Sequence, residues 1–164
     1  MAEREITEAV ELCRPDGRLN PDAVGWSRHP LHGTSLRGWG RSKRWEYWGL
    51  VTPAYILGIT VSSLDYAGVH SVYLLDRASG SETNADAVVP LARGGRLAPR
   101  CGVGGSRVST KALRIALDET SEGTRIRVRT PVVDLDVVAL LPHDHESLAV
   151  VVPWSDRLFQ YTVK

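Results

Sequence analysis

The sequence is poor in the residues that make a functional site easy to recognise. Cysteine occurs twice, and methionine and phenylalanine once each, in 164 residues. Cys13 and Cys101 are too few for a disulfide framework and have neither CxxC nor zinc-finger spacing, so they read as free thiols of a reducing compartment. Net charge is nearly absent as well. Lys and Arg number 20 against 19 Asp and Glu, a formal charge of +1, so no global field draws the chain to nucleic acid or to an anionic membrane. The opening MAEREITEAVELC is acidic where an export signal would be basic and then apolar, and a cytoplasmic location follows. No stretch keeps a helical period of apolar residues. CGVGGS, Cys101 to Ser106, is not followed by GK[ST], and Ser106 and Ser109 lack the GxSxG context of a nucleophile elbow. HDHE, His143 to Glu146, brings imidazoles and carboxylates together, but Pro142 precedes it, a strand follows, and no distant third ligand is in view, so it reads as a hairpin loop. Neither a metal nor a cofactor is implied.

What is present is a block of large aromatics beside the longest uncharged run. Tyr47 to Leu64 is eighteen residues without a charge, the length at which a membrane-spanning helix has to be considered. Pro53, the interior glycines and the Val, Ile and Tyr content argue instead for two strands, Arg44 to Val51 and Tyr55 to Ser63, joined through Pro53. In the second, Tyr55, Leu57, Ile59 and Val61 share one face, the expected core face, while Gly58 on the other marks a bend or a close approach.

Further strands are expected over Val69 to Asp76, Ala85 to Leu91, Lys111 to Glu119, Thr124 to Thr130, Val132 to Leu141, Ser147 to Trp154 and Arg157 to Val163, with RASGSETN and ARGGRLAPRCGVGGS as irregular connections. Residues 1–35 are too rich in Pro, Gly, Asp and Asn for long elements and read as an N-terminal arm anchored by Leu12, Leu19, Val24, Trp26 and Leu31. The remainder, 36–164, reads as one antiparallel β domain. The fold class is all-β, a barrel or sandwich of roughly nine or ten strands.

One register can be derived. Arg125, Arg127 and Arg129 alternate with Ile126 and Val128, and Asp134 and Asp136 alternate with Val133, Leu135 and Val137. Pairing across Thr130 and Pro131 keeps both faces consistent only when paired residue numbers have an odd sum. Asp118 extends the same charged face toward Arg125. The expected result is an outward ladder of cross-strand ion pairs, with an anion site as the functional counterpart.

Candidate binding residues cluster in RGWGRSKRWEYW and beyond: Arg41 and Arg44 as a basic rim for a polar head, and Trp45, Tyr47, Trp48, Tyr55 and Tyr73 as the wall of an apolar cavity. Asp65, His70 and Asp76 are the acid/base candidates, since a carboxylate at the rim of an apolar pocket has its proton affinity raised. The plain alternative for Asp65 is a turn cap.

LCRPDGRLNPDAVGWSRHPL, WGRSKRWEYWGLVTP, TVSSLDYAGVHSVYLLDRASG and VVVPWSDRLFQYTVK, in that order, resemble the proteins grouped as domain of unknown function 2804. Members of that family are longer, with a further β-rich half, so the chain resembles their N-terminal half. More distantly the family is similar to tandem lipocalin-type proteins such as carotenoid 1,2-hydratase, which implies a calycin-like barrel and an apolar, elongated ligand. Three functions are compatible with this reading: a lipocalin-like module binding a hydrophobic or lipid-like molecule, a hydratase or isomerase acting on an isoprenoid-like alkene, and a structural half-protein whose edge strands pair with a missing C-terminal half or with another copy in a homo-oligomer.

Overall fold

Alternation with period two governs the chain. The computed structural model describes residues 3–164, which form fourteen strands, one short 3-10 turn and no α-helix. Among these residues no helix is long and apolar enough to cross a membrane. In chain order the strands are β1 (Val10–Glu11), β2 (Trp26–Ser27) and β3 (His32–Gly33), then β4 (Arg44–Val51), β5 (Tyr55–Ser63), β6 (Ala67–Asp76) and β7 (Glu82–Pro90). There follow β8 (Gly95–Arg96), β9 (Gly105–Ser109), β10 (Arg114–Thr120), β11 (Gly123–Arg129), β12 (Asp134–Leu140), β13 (Ala149–Pro153) and β14 (Phe159–Val163). The expected nine or ten strands become fourteen because β1, β2, β3 and β8 are two residues long, too short to show an alternation. β9 begins in the last two residues of the stretch expected to be irregular and ends before the next expected strand, and Val108 is its only large apolar residue. The sheets are antiparallel except for the parallel pair β1–β3, and none closes into a barrel.

The chain divides into two compact units. One comprises the residues up to Gly38, Ala98–Gly104 and Leu141–Lys164. Apart from its first two residues, which lie outside the described ones, the segment read as an arm is built into this unit. β2, β13 and β14 make a three-stranded sheet. Leu12, Leu19, Ala23 and Val151 form its core, so two of the expected anchors are buried. Trp26 is half-buried in β2, with the Arg28 guanidinium 5.4 Å from its ring centroid. His32 is buried, its Nε2 2.9 Å from the Ala23 carbonyl and its ring 4.7 Å from that of Tyr161, whose hydroxyl burial pushes up to about 12. In the HDHE loop Glu146 pairs with Arg28 at 3.0 Å, and no group of three metal-ligating side chains gathers among the described residues.

The other unit, 39–97 with 105–140, holds β4 to β12. Two open sheets face each other, a four-stranded one in the order β4-β5-β6-β7 and a five-stranded one in the order β12-β11-β10-β9-β8. Every pairing joins strands adjacent in sequence, so the unit is a meander with β4 and β12 at its two ends. Its core is built by one face of each sheet: Leu57, Ile59, Val61 and Val72 against Val108, Leu113, Ile115, Leu117, Ile126 and Val128. Leu57, Ile59 and Val61 share the face expected for them, while Tyr55, at the hairpin end of the same parity, stays 46% exposed.

The charged register is the odd-sum one. Arg127 lies opposite Asp136, Arg129 opposite Asp134, and Asp118 opposite Arg125. The ion pairs run partly along diagonals, because long side chains reach across the pleat: Arg125 meets Asp136 at 2.6 Å, and Asp118 receives both Arg107 and Arg127, the latter at 2.6 Å. Asp118 is the least exposed acid of the ladder, at 22%. Asp118→Asn should therefore cost about 1 kcal/mol of stability in low salt, and Asp134→Asn less than about 0.5. Urea unfolding at two salt concentrations checks this, since the difference should shrink as salt screens the pairs.

Candidate functional site

On β4 side chains alternate between the two faces, so Arg44, Glu46, Trp48 and Leu50 point inward while Trp45, Tyr47, Gly49 and Val51 point outward. Trp45 and Tyr47 are 56% and 63% exposed. The Tyr47 ring lies along the outer surface over Gly49 and Gly58, where an added Cβ would sit 3.4 Å from it in each case. This is the close approach that Gly58 signalled in the sequence. Tyr73 is on the same outer face, opposite Gly58. Arg41 is exposed in the loop before β4.

Asp65, His70 and Asp76 do not converge. Asp65 has φ 65° and closes a turn by accepting the Gly40 N–H at 2.9 Å and the Ser42 N–H at 3.3 Å. Asp76 caps the β6–β7 turn, accepting the N–H groups of Ala78 and Ser79, and these bonds hold its carboxyl below the usual range. It stands six residues from His70 on one strand, roughly 20 Å at strand rise. His70 is 1% exposed in the core. Its ring lies flat where the Cβ atoms of Gly68 and Gly95 would be, 2.8 Å away in each case. Neither ring nitrogen has a hydrogen-bond partner among the described residues, and desolvation lowers its proton affinity, which favours the neutral ring.

The inward polar groups come together elsewhere, at one end of the apolar interior. Glu46 accepts the Trp48 indole N–H at 2.8 Å and the Ser106 hydroxyl at 2.5 Å. Glu119 continues the inward parity of Ile115 and Leu117 past the end of the core. It accepts the Thr124 hydroxyl at 3.1 Å. Loss of hydration, and then the charge of Glu46, push the Glu119 carboxyl above its ordinary range. Ser106 and Thr124 are buried, whereas Glu119 is at the rim and keeps access to solvent. Arg44 is on the same inner face one row farther out, opposite Ser63, and desolvation lowers its proton affinity.

Of the residues expected to bind ligand, Arg44 and Trp48 thus belong to this interior end. Glu46, Glu119 and Thr124 were not singled out from the sequence, and Ser106 was weighed there only as a nucleophile, although Glu46 in step with Trp48 and Leu50, and Glu119 in step with Leu117, were readable as carboxylates in core register. Two carboxylates near enough for the charge of one to act on the other, one with raised proton affinity and both with hydroxyl or indole donors attached, can accept hydrogen bonds from a ligand or exchange a proton with it.

No curated protein and no solved structure matches the chain. The sequence profile of one family spans 3–164, almost the entire chain, and the chain belongs to that family, described as Domain of unknown function (DUF2804).

Proposed function

We propose that the chain provides a calycin-like binding module for a small, mainly apolar molecule, held in the interior of the β4–β12 unit with a hydrogen-bond-donating head at Glu46 and Glu119. The observation that carries this reading is the carboxylate pair, placed where an apolar core meets solvent and already gathering the Trp48, Ser106 and Thr124 donors. The strand order supports it, since a meander of nine strands is what an up-and-down barrel requires, and pairing both β4 with β12 and β7 with β8 would complete one. Trp48 and Leu50 on β4 and Leu135, Val137 and Ala139 on β12 are only partly buried, so the interior has apolar surface to offer at both end strands. The same unpaired strands are where a second copy or a further β half would add.

Trp48 reports occupancy because its indole N–H is bound to Glu46. Titration with 1-dodecanol or dodecylamine should change its fluorescence saturably, dodecanoate should bind at least about tenfold more weakly, and Glu119→Gln should remove that discrimination. A chain that gives no saturable signal with any of the three, or a Glu46→Gln, Glu119→Gln variant that still prefers dodecanol and dodecylamine over dodecanoate as strongly as the unaltered chain, would overturn the proposal.

A second reading follows from the raised proton affinity of Glu119 beside Glu46. In a hydratase or isomerase acting on an isoprenoid-like alkene, Glu119 would give its proton to one alkene carbon and Glu46 would accept one from the attacking water. Deuterium incorporation from heavy water into such an alkene, lost in Glu119→Gln, separates this from binding alone.

A further inference from the structure

The outer face of the five-stranded sheet carries six arginines, Arg96, Arg107, Arg114, Arg125, Arg127 and Arg129, against three aspartates, Asp118, Asp134 and Asp136. An excess of three positive charges on one face contrasts with the formal charge of +1 for the whole chain. Asp118 takes Arg107 and Arg127, Asp136 takes Arg125, and Asp134 takes Arg129. Arg96 and Arg114 have no ion-pair partner among the described residues.

Two pairs of like charge stand directly opposite each other across strands, Arg96 with Arg107 and Arg114 with Arg129. Opposed like charges are destabilising, and only one member of each pair has an aspartate among the described residues, Asp118 for Arg107 and Asp134 for Arg129. They border a groove of about 690 Å³ whose lining includes Gly94, Gly95 and Ala116. Ala116 is the smallest side chain with a Cβ in its lining. Arg107 and Arg127 flank it on the neighbouring strands, about 4.8 Å away on either side. Arg114 is two residues along the same strand, about 7 Å away. The small side chain leaves room above it for a ligand reached by Arg114, which has no ion pair among the described residues, and by Arg107 and Arg127, which share Asp118.

We infer that this groove binds a soluble small molecule bearing a diphosphate or triphosphate group. Guanidinium forks match phosphate oxygens two at a time, and two opposed arginine pairs in adjacent rows call for more than one phosphate. The anion is compact because carboxylates bound the field. Asp134 and Asp136 run along β12 and Asp118 stands beside Ala116, so a flat anionic membrane would meet acids as well as bases.

The probe is inorganic tripolyphosphate, titrated calorimetrically into the full chain at low ionic strength. Saturable binding with one site is expected, about tenfold tighter than for inorganic phosphate and weakened by added salt. The Arg96→Gln, Arg114→Gln variant removes the two arginines without ion pairs and should weaken binding at least about tenfold, with the circular dichroism melting profile unchanged. If that variant does not fold, Arg96→Gln alone, in the two-residue strand β8, serves with an expected loss of at least about threefold. Absence of saturable binding, affinity unaffected by these substitutions, or capture by phosphatidylserine vesicles without any response to tripolyphosphate would overturn the inference.

Discussion

Truncating Leu117 to alanine is expected to lower the unfolding free energy by about 3 kcal/mol, whereas Val138→Ala on the outer face of the same sheet should change it by less than about 0.5. Leu117 is 1% exposed and packs between the sheets with Ile59 and Ile126. It also pairs directly with Ser106, the residue whose hydroxyl is bound to Glu46. The lost methyl groups would therefore leave a cavity beside the carboxylate pair, and the cost has two parts, lost transfer free energy and unfilled volume. Urea unfolding of both variants measures the difference. Equal, small effects would mean that the two sheets do not share the core described above.

The second large effect is on pH dependence, and two interior groups act with opposite sign. The buried His70 ring has a lowered proton affinity in the folded state, so below pH 6.5 the unfolded chain takes up a proton that the folded one does not. Its contribution to stability is present above that pH and is lost as pH falls, by at most about 1.4 kcal/mol per pH unit for one group. Glu119 has a raised proton affinity when folded. Its contribution is complete below the ordinary glutamate range and is lost as pH rises through the folded value. His70→Phe keeps a flat ring against Gly68 and Gly95 and should flatten the acid limb. Glu119→Gln should leave that limb and remove the decline on the other side. Unfolding free energies at a series of pH values from 4 to 8 test both, and an acid limb that persists in His70→Phe would show that His70 is not its source.

The aromatic hairpin was legible to its ends: Arg44–Val51 and Tyr55–Ser63 are the strands read from the sequence, because Pro53 and the β-branched run leave little choice. The arginine–aspartate register was legible for a similar reason, since any other pairing puts charge in the core. The inward parity of β4 was not. Trp45, Tyr47 and Trp48 are equally plausible core residues, and alternation forbids all three from sharing a face. The choice is made by groups far away in sequence, as Ser106, sixty positions from Glu46, supplies a hydroxyl for a carboxylate that faces inward. β9 was hidden because glycines and charges surround its single large apolar residue. Its contribution to the arginine face was hidden with it, for Arg107 joins that face only once β9 is a strand.

The account turns on Glu46 and Glu119 acting as a pair. Carbon-detected NMR titration of the glutamate carboxylates measures this directly. The account predicts that Glu119 titrates above the other glutamates and moves down toward them in Glu46→Gln, where the neighbouring charge is gone. A Glu119 that titrates with the exposed glutamates, unchanged by Glu46→Gln, would contradict it.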